Sequence, residues 1–152
     1  EVERDWMREM THAFLIRDPA SVLSSYIRSR EQVCLADLGF VQQAQLFAWL
    51  REETGRTPAV VESADILRRP EPMLRALCRR LNVPFTSSML QWPPGPRDSD
   101  GVWAPHWYAS VHSSTGFMPY QPSKIDIPDH LMFIVEEAQP HYRTLAQHRI
   151  RA

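Results

Sequence analysis

His12-Ala13-Phe14-Leu15-Ile16-Arg17-Asp18-Pro19-Ala20-Ser21-Val22-Leu23-Ser24-Ser25-Tyr26 is the stretch that decides the architecture. Residues 12–16 form a nearly continuous apolar run that ends abruptly at a charge pair and a proline. A run without polar alternation fits a strand buried on both faces, as in a parallel sheet. A helix start follows. Asp18 carries the side chain of an N-cap, and Pro19 sits at the first helical position, where a missing amide proton loses no partner. Within Pro19 to Arg30 the apolar residues Val22, Leu23, Tyr26 and Ile27 form one stripe. A strand feeding directly into a helix is the pattern of an α/β domain.

On the upstream side, Val2, Trp6, Met7 and Met10 are spaced for one face of a helical turn or two. Downstream, a linker at 36–39 leads to an amphipathic helix, Phe40 to Thr54, stopped by Gly55. Pro58-Ala59-Val60-Val61 is a second short strand, and Pro70 opens a helix with Met73, Leu74, Leu77, Cys78 and Leu81 on its buried side and Asn82 near its end. A short helix is expected from Thr86 to Trp92. Residues 93–101, Pro-Pro-Gly-Pro-Arg-Asp-Ser-Asp-Gly, exclude regular structure and make a surface loop. An aromatic and histidine-rich piece, Trp103 to Tyr120, precedes a terminal helix from Pro128 that Pro140 should break or kink. With no internal repeat and no convincing linker, residues 1–152 read as a single domain, with 93–127 a loop-rich acceptor or lid segment.

Composition bounds the function. The 152 residues suit one domain able to bury about 68–70% of its unfolded surface. A 43% hydrophobic and 23% charged content excludes disorder. Lys and Arg number 17 against 18 Asp and Glu, and a net charge of −1 excludes a generally basic nucleic-acid binder. No run approaches a membrane span, and EVERDWMREM is not a signal peptide. Cys34 and Cys78 lack CxxC spacing and fit a reducing cytoplasm; both sit among apolar helical neighbours and read as core. The expectation is a cytoplasmic protein with no membrane and no nucleic-acid partner. Lys124 is the only lysine, and 13 prolines exceed the usual share of about 5%. Two strands make a poor parallel sheet on their own, and the chain begins at Glu1, so the reading is an α/β domain whose first strands are absent.

Arg17 is the sharpest chemical element. In open α/β sheets ligands bind outside the carboxyl ends of the strands, and a guanidinium there, beside a helix N-terminus, suits a phosphate. Ser25 follows eight residues on. The alternative is that Arg17 pairs with Asp18 or Glu62 and Ser25 merely packs. Trp103, His106, Trp107 and His112 supply ring faces and hydrogen-bonding tips, which suits an acceptor pocket or its lid and equally a structural cap. His106 and His112 are six residues apart, no helical metal spacing, and no Cys or carboxylate completes a set, so no metal is expected. His130, His141 and His148 read as solvated or half-buried. Ser87-Ser88 and Ser113-Ser114 lack the G-x-S-x-G elbow of a hydrolase. The Arg68-Arg69 and Arg79-Arg80 pairs read as solvated helix ends.

The segment His12 to Tyr26 resembles the strand–helix motif of sulfotransferases that use 3′-phosphoadenosine 5′-phosphosulfate (PAPS), in which a strand ending Arg-(Asp/Asn)-Pro leads into a helix bearing Ser eight residues after the Arg. Val60 to Leu67 is similar to the family's second marker, a strand followed by an acidic, leucine-containing turn, and Pro70 to Phe85 resembles its next helix. Residues 12–92 carry most of the likeness, and Trp-Ala-Pro-His-Trp-Tyr at 103–108 is similar to a stretch of a bacterial branch. The resemblance implies a three-layer α/β fold of the P-loop type with a parallel sheet, and transfer of a sulfuryl group from PAPS as co-substrate to a hydroxyl or amine of a small-molecule acceptor. It implies that Arg17 and Ser25 bind the nucleotide's 3′-phosphate. The family's Gly-rich 5′-phosphosulfate loop, its catalytic base and its C-terminal Arg-Lys-Gly clamp have no counterpart here; Arg97 and Lys124 are the candidates for the clamp. The chain therefore looks like the C-terminal portion of such a domain. The other readings are a non-catalytic nucleotide-binding or interaction module of the same fold, and a phosphoryl-transfer kinase of related fold.

Overall fold

The computed structural model describes residues 4–122 and 124–152, with His106 and Trp107 described in backbone alone; Val2 lies outside the described residues. Its centre is a pair of parallel strands, β1 (Ala13–Ile16) and β2 (Ala59–Glu62), in register from Ala13 opposite Ala59 to Ile16 opposite Glu62. Helices α1 (Pro19–Tyr26) and α2 (Phe40–Thr54) lie between them in sequence, and α3 (Ser63–Arg68) and α4 (Pro70–Leu81) follow β2. Two short helices, α5 (Ala104–Trp107) and α6 (Ala109–His112), and a long one, α7 (Met132–Ala146), complete the chain. This is a mixed helix and strand architecture with a small parallel sheet, compatible with an α/β fold.

The strand–helix junction forms as its residues dictate. Asp18 Oδ2 accepts the Ser21 N–H at 2.9 Å, and Pro19 is the first helical residue. Helix α1 stops at Tyr26, short of Arg30, because Ser29 N–H and Ser29 Oγ both donate to the Tyr26 carbonyl, which a further turn would have needed. Its buried side is Pro19, Leu23 and Ser24, with Ile27 packed beyond, so the stripe is rotated from the one expected; Val22 and Tyr26 are half-buried. Helix α2 has the expected limits, closed by Gly55 at φ 63°. Helix α4 ends at Asn82, also left-handed, and buries Met73, Ala76 and Cys78, while Leu74, Leu77 and Leu81 stay half-buried.

The strands differ from the expectation in one respect. All four residues of β2 are buried, but β1 alternates, with Phe14 and Ile16 inside and Leu15 59% exposed. Helices α2 and α7 cover one face of both strands, where Phe14, Ile16, Phe47, Leu50, Val60 and Leu145 form the main core and the Phe14 and Phe47 rings meet edge to face. The other face is covered at β2 by α3 and α4, and that cover does not reach β1. A second cluster, Leu23 with Ile134 and Val135, joins α1 to α7.

Other expectations are corrected as well. Helix α7 runs through Pro140 without a break: the proline is exposed, and buried residues on both sides, Ile134, Val135 and Ala138 before it and Leu145 and Ala146 after it, hold the two halves against the core. Cys34 is exposed, because it caps the 3₁₀ turn Leu35–Leu38 rather than packing; Cys78 is buried. Thr86 to Trp92 contains only the 3₁₀ turn Ser87–Met89, and the segment after β2 coils into α3 where a turn was expected. Upstream of β1, Trp6 and Met7 lie on a 3₁₀ turn, Asp5–Glu9, and Met10 follows it. Among the described residues no helix is long and apolar enough to cross a membrane.

Candidate functional site at the carboxyl end of the strands

Both strands deliver charge at their carboxyl ends. β1 is followed by Arg17, exposed, and by Asp18, whose carboxylate is committed to the α1 cap. β2 ends in Glu62, only 6% exposed, a carboxylate that burial would penalise heavily without partners. Two hydroxyls satisfy it: Tyr142 on α7 donates to Oε2 at 2.8 Å, and Ser63 donates to Oε1 at 3.3 Å. Burial, and then the bond to Glu62, push the Tyr142 hydroxyl up to about 12. The same phenol feels Arg149 and Asp18, so this end of the sheet gathers residues of β1, β2 and α7 into one electrostatic neighbourhood. From the sequence, Glu62 stands out only as a partner for Arg17; its role in anchoring α7 to the sheet depends on the distant Tyr142, which carries no local signal.

Ser25 lies half-buried one residue before the end of α1. At a rise of about 1.5 Å per residue it stands roughly 10 Å along the helix from its cap. Its neighbour Ser24 has no place in the motif, yet it is the buried one. Ser24 Oγ donates to the Lys124 carbonyl at 3.4 Å and accepts the Asp126 N–H at 3.1 Å, which pins residues 124–126 against α1. A cavity of about 280 Å3 opens there, with Arg28 and Lys124 on its walls. The signal that could have found Ser24 is a serine inside the true apolar stripe of Ala20, Leu23 and Ile27. Of the two clamp candidates, Lys124 is thus brought to α1. Arg97 is not: it lies exposed in the 93–101 loop, where its N–H donates to Asp100 Oδ2.

The aromatic and histidine segment forms a neighbourhood of its own. Trp103 is 68% exposed. His106 and Trp107 lie on α5, and their side chains fall outside the described residues. His112, at the end of α6, is half-buried with Nε2 at 2.8 Å from Asp100 Oδ2 and its ring edge-to-face on Tyr108. The Arg97 N–H and then His112 hold the Asp100 carboxyl below its usual range. A cavity of about 640 Å3 lies between Leu90–Pro93 and Thr115–Phe117, where Gln91 and Gly116 bridge antiparallel and Trp92 Nε1 donates to Ser114 Oγ at 3.0 Å. Neither Trp103 nor His112 lines it. Among the described residues no group of three or more His, Cys, Asp or Glu side chains is placed to hold a metal ion.

A strand, a capped helix and an exposed arginine at their junction are features that many nucleotide-binding domains share, and comparison with known proteins narrows the class. A family model described as a sulfotransferase domain matches residues 1–148. The chain belongs to the sulfotransferase domain family. Two Arabidopsis thaliana proteins are similar to it: branched-chain-amino-acid aminotransferase-like protein 1, 38% identical over 137 residues, and branched-chain-amino-acid aminotransferase-like protein 2, 35% identical over 142 residues. The matches cover 90% and 93% of this chain but 24% and 25% of those proteins, so the chain spans about a quarter of the length of these relatives. No solved structure matches it.

Proposed function

We propose that this chain forms the nucleotide-holding side of a PAPS-dependent sulfotransferase, and that Arg17 and Ser25 grip the 3′-phosphate. The observation that carries this is the junction itself: an exposed guanidinium at the carboxyl end of β1, followed by a capped α1 that carries Ser25, inside a sulfotransferase domain match spanning nearly the whole chain. Lys124, whose backbone carbonyl is tethered to α1 through Ser24, adds a cation beside this helix. The finer fold follows from the same reading: a three-layer P-loop type sheet, of which β1 and β2 are two strands and this chain the C-terminal portion. The aminotransferase-like names belong to proteins about four times longer, of which this chain matches only a quarter.

In the reaction the sulfuryl group leaves the phosphosulfate oxygen for a hydroxyl or amine of a small-molecule acceptor. Adenosine 3′,5′-bisphosphate departs, and the acceptor proton goes to a base. The residues of this chain bind and orient the nucleotide, which positions the donor for in-line attack. The 103–112 segment, with Trp103 exposed and His112 braced by Asp100, forms the acceptor side.

The test is titration of the full-length protein with adenosine 3′,5′-bisphosphate beside adenosine 5′-monophosphate. A charge-assisted hydrogen bond contributes about 1.5–3 kcal/mol, so Arg17→Ala should weaken bisphosphate binding roughly 10–100-fold and leave the monophosphate nearly unaffected. Equal affinity for the two nucleotides, or a bisphosphate affinity untouched in Arg17→Ala, overturns the assignment.

A further inference from the structure

A cavity of about 260 Å3 at the junction of α3 and α4 is lined by four arginines, Arg68, Arg69, Arg149 and Arg151, with Asp65 the one acidic side chain among its lining residues. The chain as a whole carries a net charge of −1, so this concentration is local and not a consequence of composition. Two segments far apart in sequence build it. Arg68 closes α3, and Arg69 stands between α3 and α4. Arg149 and Arg151 follow α7, where Arg149 bridges Val60 in parallel and the Ile150 N–H donates to the Val60 carbonyl at 2.8 Å. The tail thus runs along the edge of β2 opposite β1, in the direction of the carboxyl ends.

Asp65 is already divided. Its Oδ1 accepts from Arg68 Nη1 at 3.2 Å, and its Oδ2 lies 3.3 Å from Arg149 Nε. The second contact lacks hydrogen-bond geometry, so Arg149 is held by charge alone and its buried Nε–H has no acceptor. Arg68 lies over the Tyr120 ring at 4.0 Å, which fixes the plane of its guanidinium. Arg69 is anchored to the Ala152 oxygen. Arg151 has no anionic partner among the described residues. Arginine keeps its proton at any ordinary pH, so the four like charges cannot relax by deprotonation as lysines would. One acidic side chain cannot offset four cations. A multiply charged oxyanion would, by accepting paired N–H donors from planar forks.

We propose that this cavity is a second anion site, one that takes a phosphorylated small molecule by its phosphate. It lies across β2 from Arg17, on the opposite edge of the sheet, and does not depend on the 3′-phosphate reading. The experiment is calorimetric titration of the full-length protein with inorganic pyrophosphate at low salt, repeated on Arg17→Ala, Arg151→Gln and Arg151→Lys. Arg151 is exposed, so its replacement leaves the packing intact, and circular dichroism checks the fold. Pyrophosphate should bind the unaltered protein, and salt should weaken it. Arg17→Ala should bind it unchanged. Arg151→Gln should bind about tenfold more weakly, with Arg151→Lys between, because it keeps the charge and loses the fork. No binding up to about 10 mM, or an Arg151→Gln affinity equal to that of the unaltered protein, overturns the proposal.

Discussion

The strands with their helices and the segment 93–122 are held together by different forces. Around β1 and β2 the apolar faces of α2 and α7 meet on one side, α1 packs on α7, and α4 covers the other side of β2; Phe47, Leu23, Leu50, Val60, Ile134 and Leu145 are almost wholly buried. In 93–122 Ala104 is the one buried residue among those described, while Val102, Trp103, Tyr108, Val111 and Met118 face outward. Hydrogen bonds shape that segment instead: Asp100 to His112, Trp92 to Ser114, and Gly95 N–H to the His112 carbonyl at 2.7 Å. Burial stabilises by area and is insensitive to direction, whereas a hydrogen-bonded frame fixes direction and contributes about 0.5–1.5 kcal/mol per bond. Under the proposed function, the apolar-packed body is the part assigned to the nucleotide and the hydrogen-bonded segment the part assigned to the acceptor.

The contrast between the two regions is widest for their large aromatic side chains. Phe47→Ala, in the main core, should destabilise by about 3–5 kcal/mol, whereas Trp103→Ala should change stability by less than about 0.5 kcal/mol. Denaturant unfolding of the full-length protein reads both. Comparable losses would mean that Trp103 is buried in the working protein. A sharper contrast lies inside β1. Ile16→Ala should lose about 2–5 kcal/mol and its exposed neighbour Leu15→Ala less than about 1 kcal/mol. A Leu15 loss equal to that of Ile16 would reveal a covering layer over the outer face of β1, as the run of apolar residues at 12–16 implies.

That run also shows how far the sequence could be read. Period and punctuation placed β1, α1, α2, β2 and α4 because each has a local cause: the Asp18 cap, Pro19 and Pro70 at helix starts, and Gly55 and Asn82 in left-handed conformations at helix ends. Local signals failed where a distant partner decides. Pro140 is a helix breaker in isolation, but buried residues on both sides carry α7 across it. Cys34 reads as apolar, yet the 3₁₀ turn gives it a capping role. Of the candidate site, Arg17 and Ser25 are singled out in the sequence by the resemblance of the strand–helix motif. Glu62–Tyr142, Ser24–Lys124 and Asp100–His112 join residues 80, 100 and 12 positions apart, and no spacing announces such pairs.

Tyr142→Phe sharpens the contrast at the next scale down. It leaves the buried Glu62 carboxylate with the longer Ser63 bond alone, and should lower stability by about 1–3 kcal/mol. The pH dependence has a definite sign. The folded tyrosine, at about 12, holds its proton more tightly than an unfolded one at 10.0, so its contribution is fully present below pH 10 and is lost as the pH rises toward 12. Denaturant midpoints of the unaltered protein should therefore fall more steeply over that window than those of Tyr142→Phe. Parallel curves would mean that Tyr142 does not face Glu62 in solution.

His112→Ala probes the opposite regime, where a local frame can loosen while the body stays intact. The His112–Asp100 contact is partly exposed, so the global midpoint should barely move. Hydrogen exchange should show the effect instead: the Gly95 amide, bonded to the His112 carbonyl, and the Arg97 amide, bonded to Asp100, should lose protection together, with amides of β2 unchanged. Asp100→Asn, which keeps a hydrogen-bonding side chain but removes the charge, should fall between. Acid gives an independent check. The Asp100 carboxyl is held below its usual range, so its contribution is present above the unfolded value of about 3.9 and is lost as the pH falls through the lower folded value. Protection at Gly95 should thus persist at pH 5 and fail only in stronger acid. A His112→Ala variant whose β2 amides lose protection along with Gly95 would show that the two regions fold as one cooperative unit, and the division of forces drawn between them would not stand.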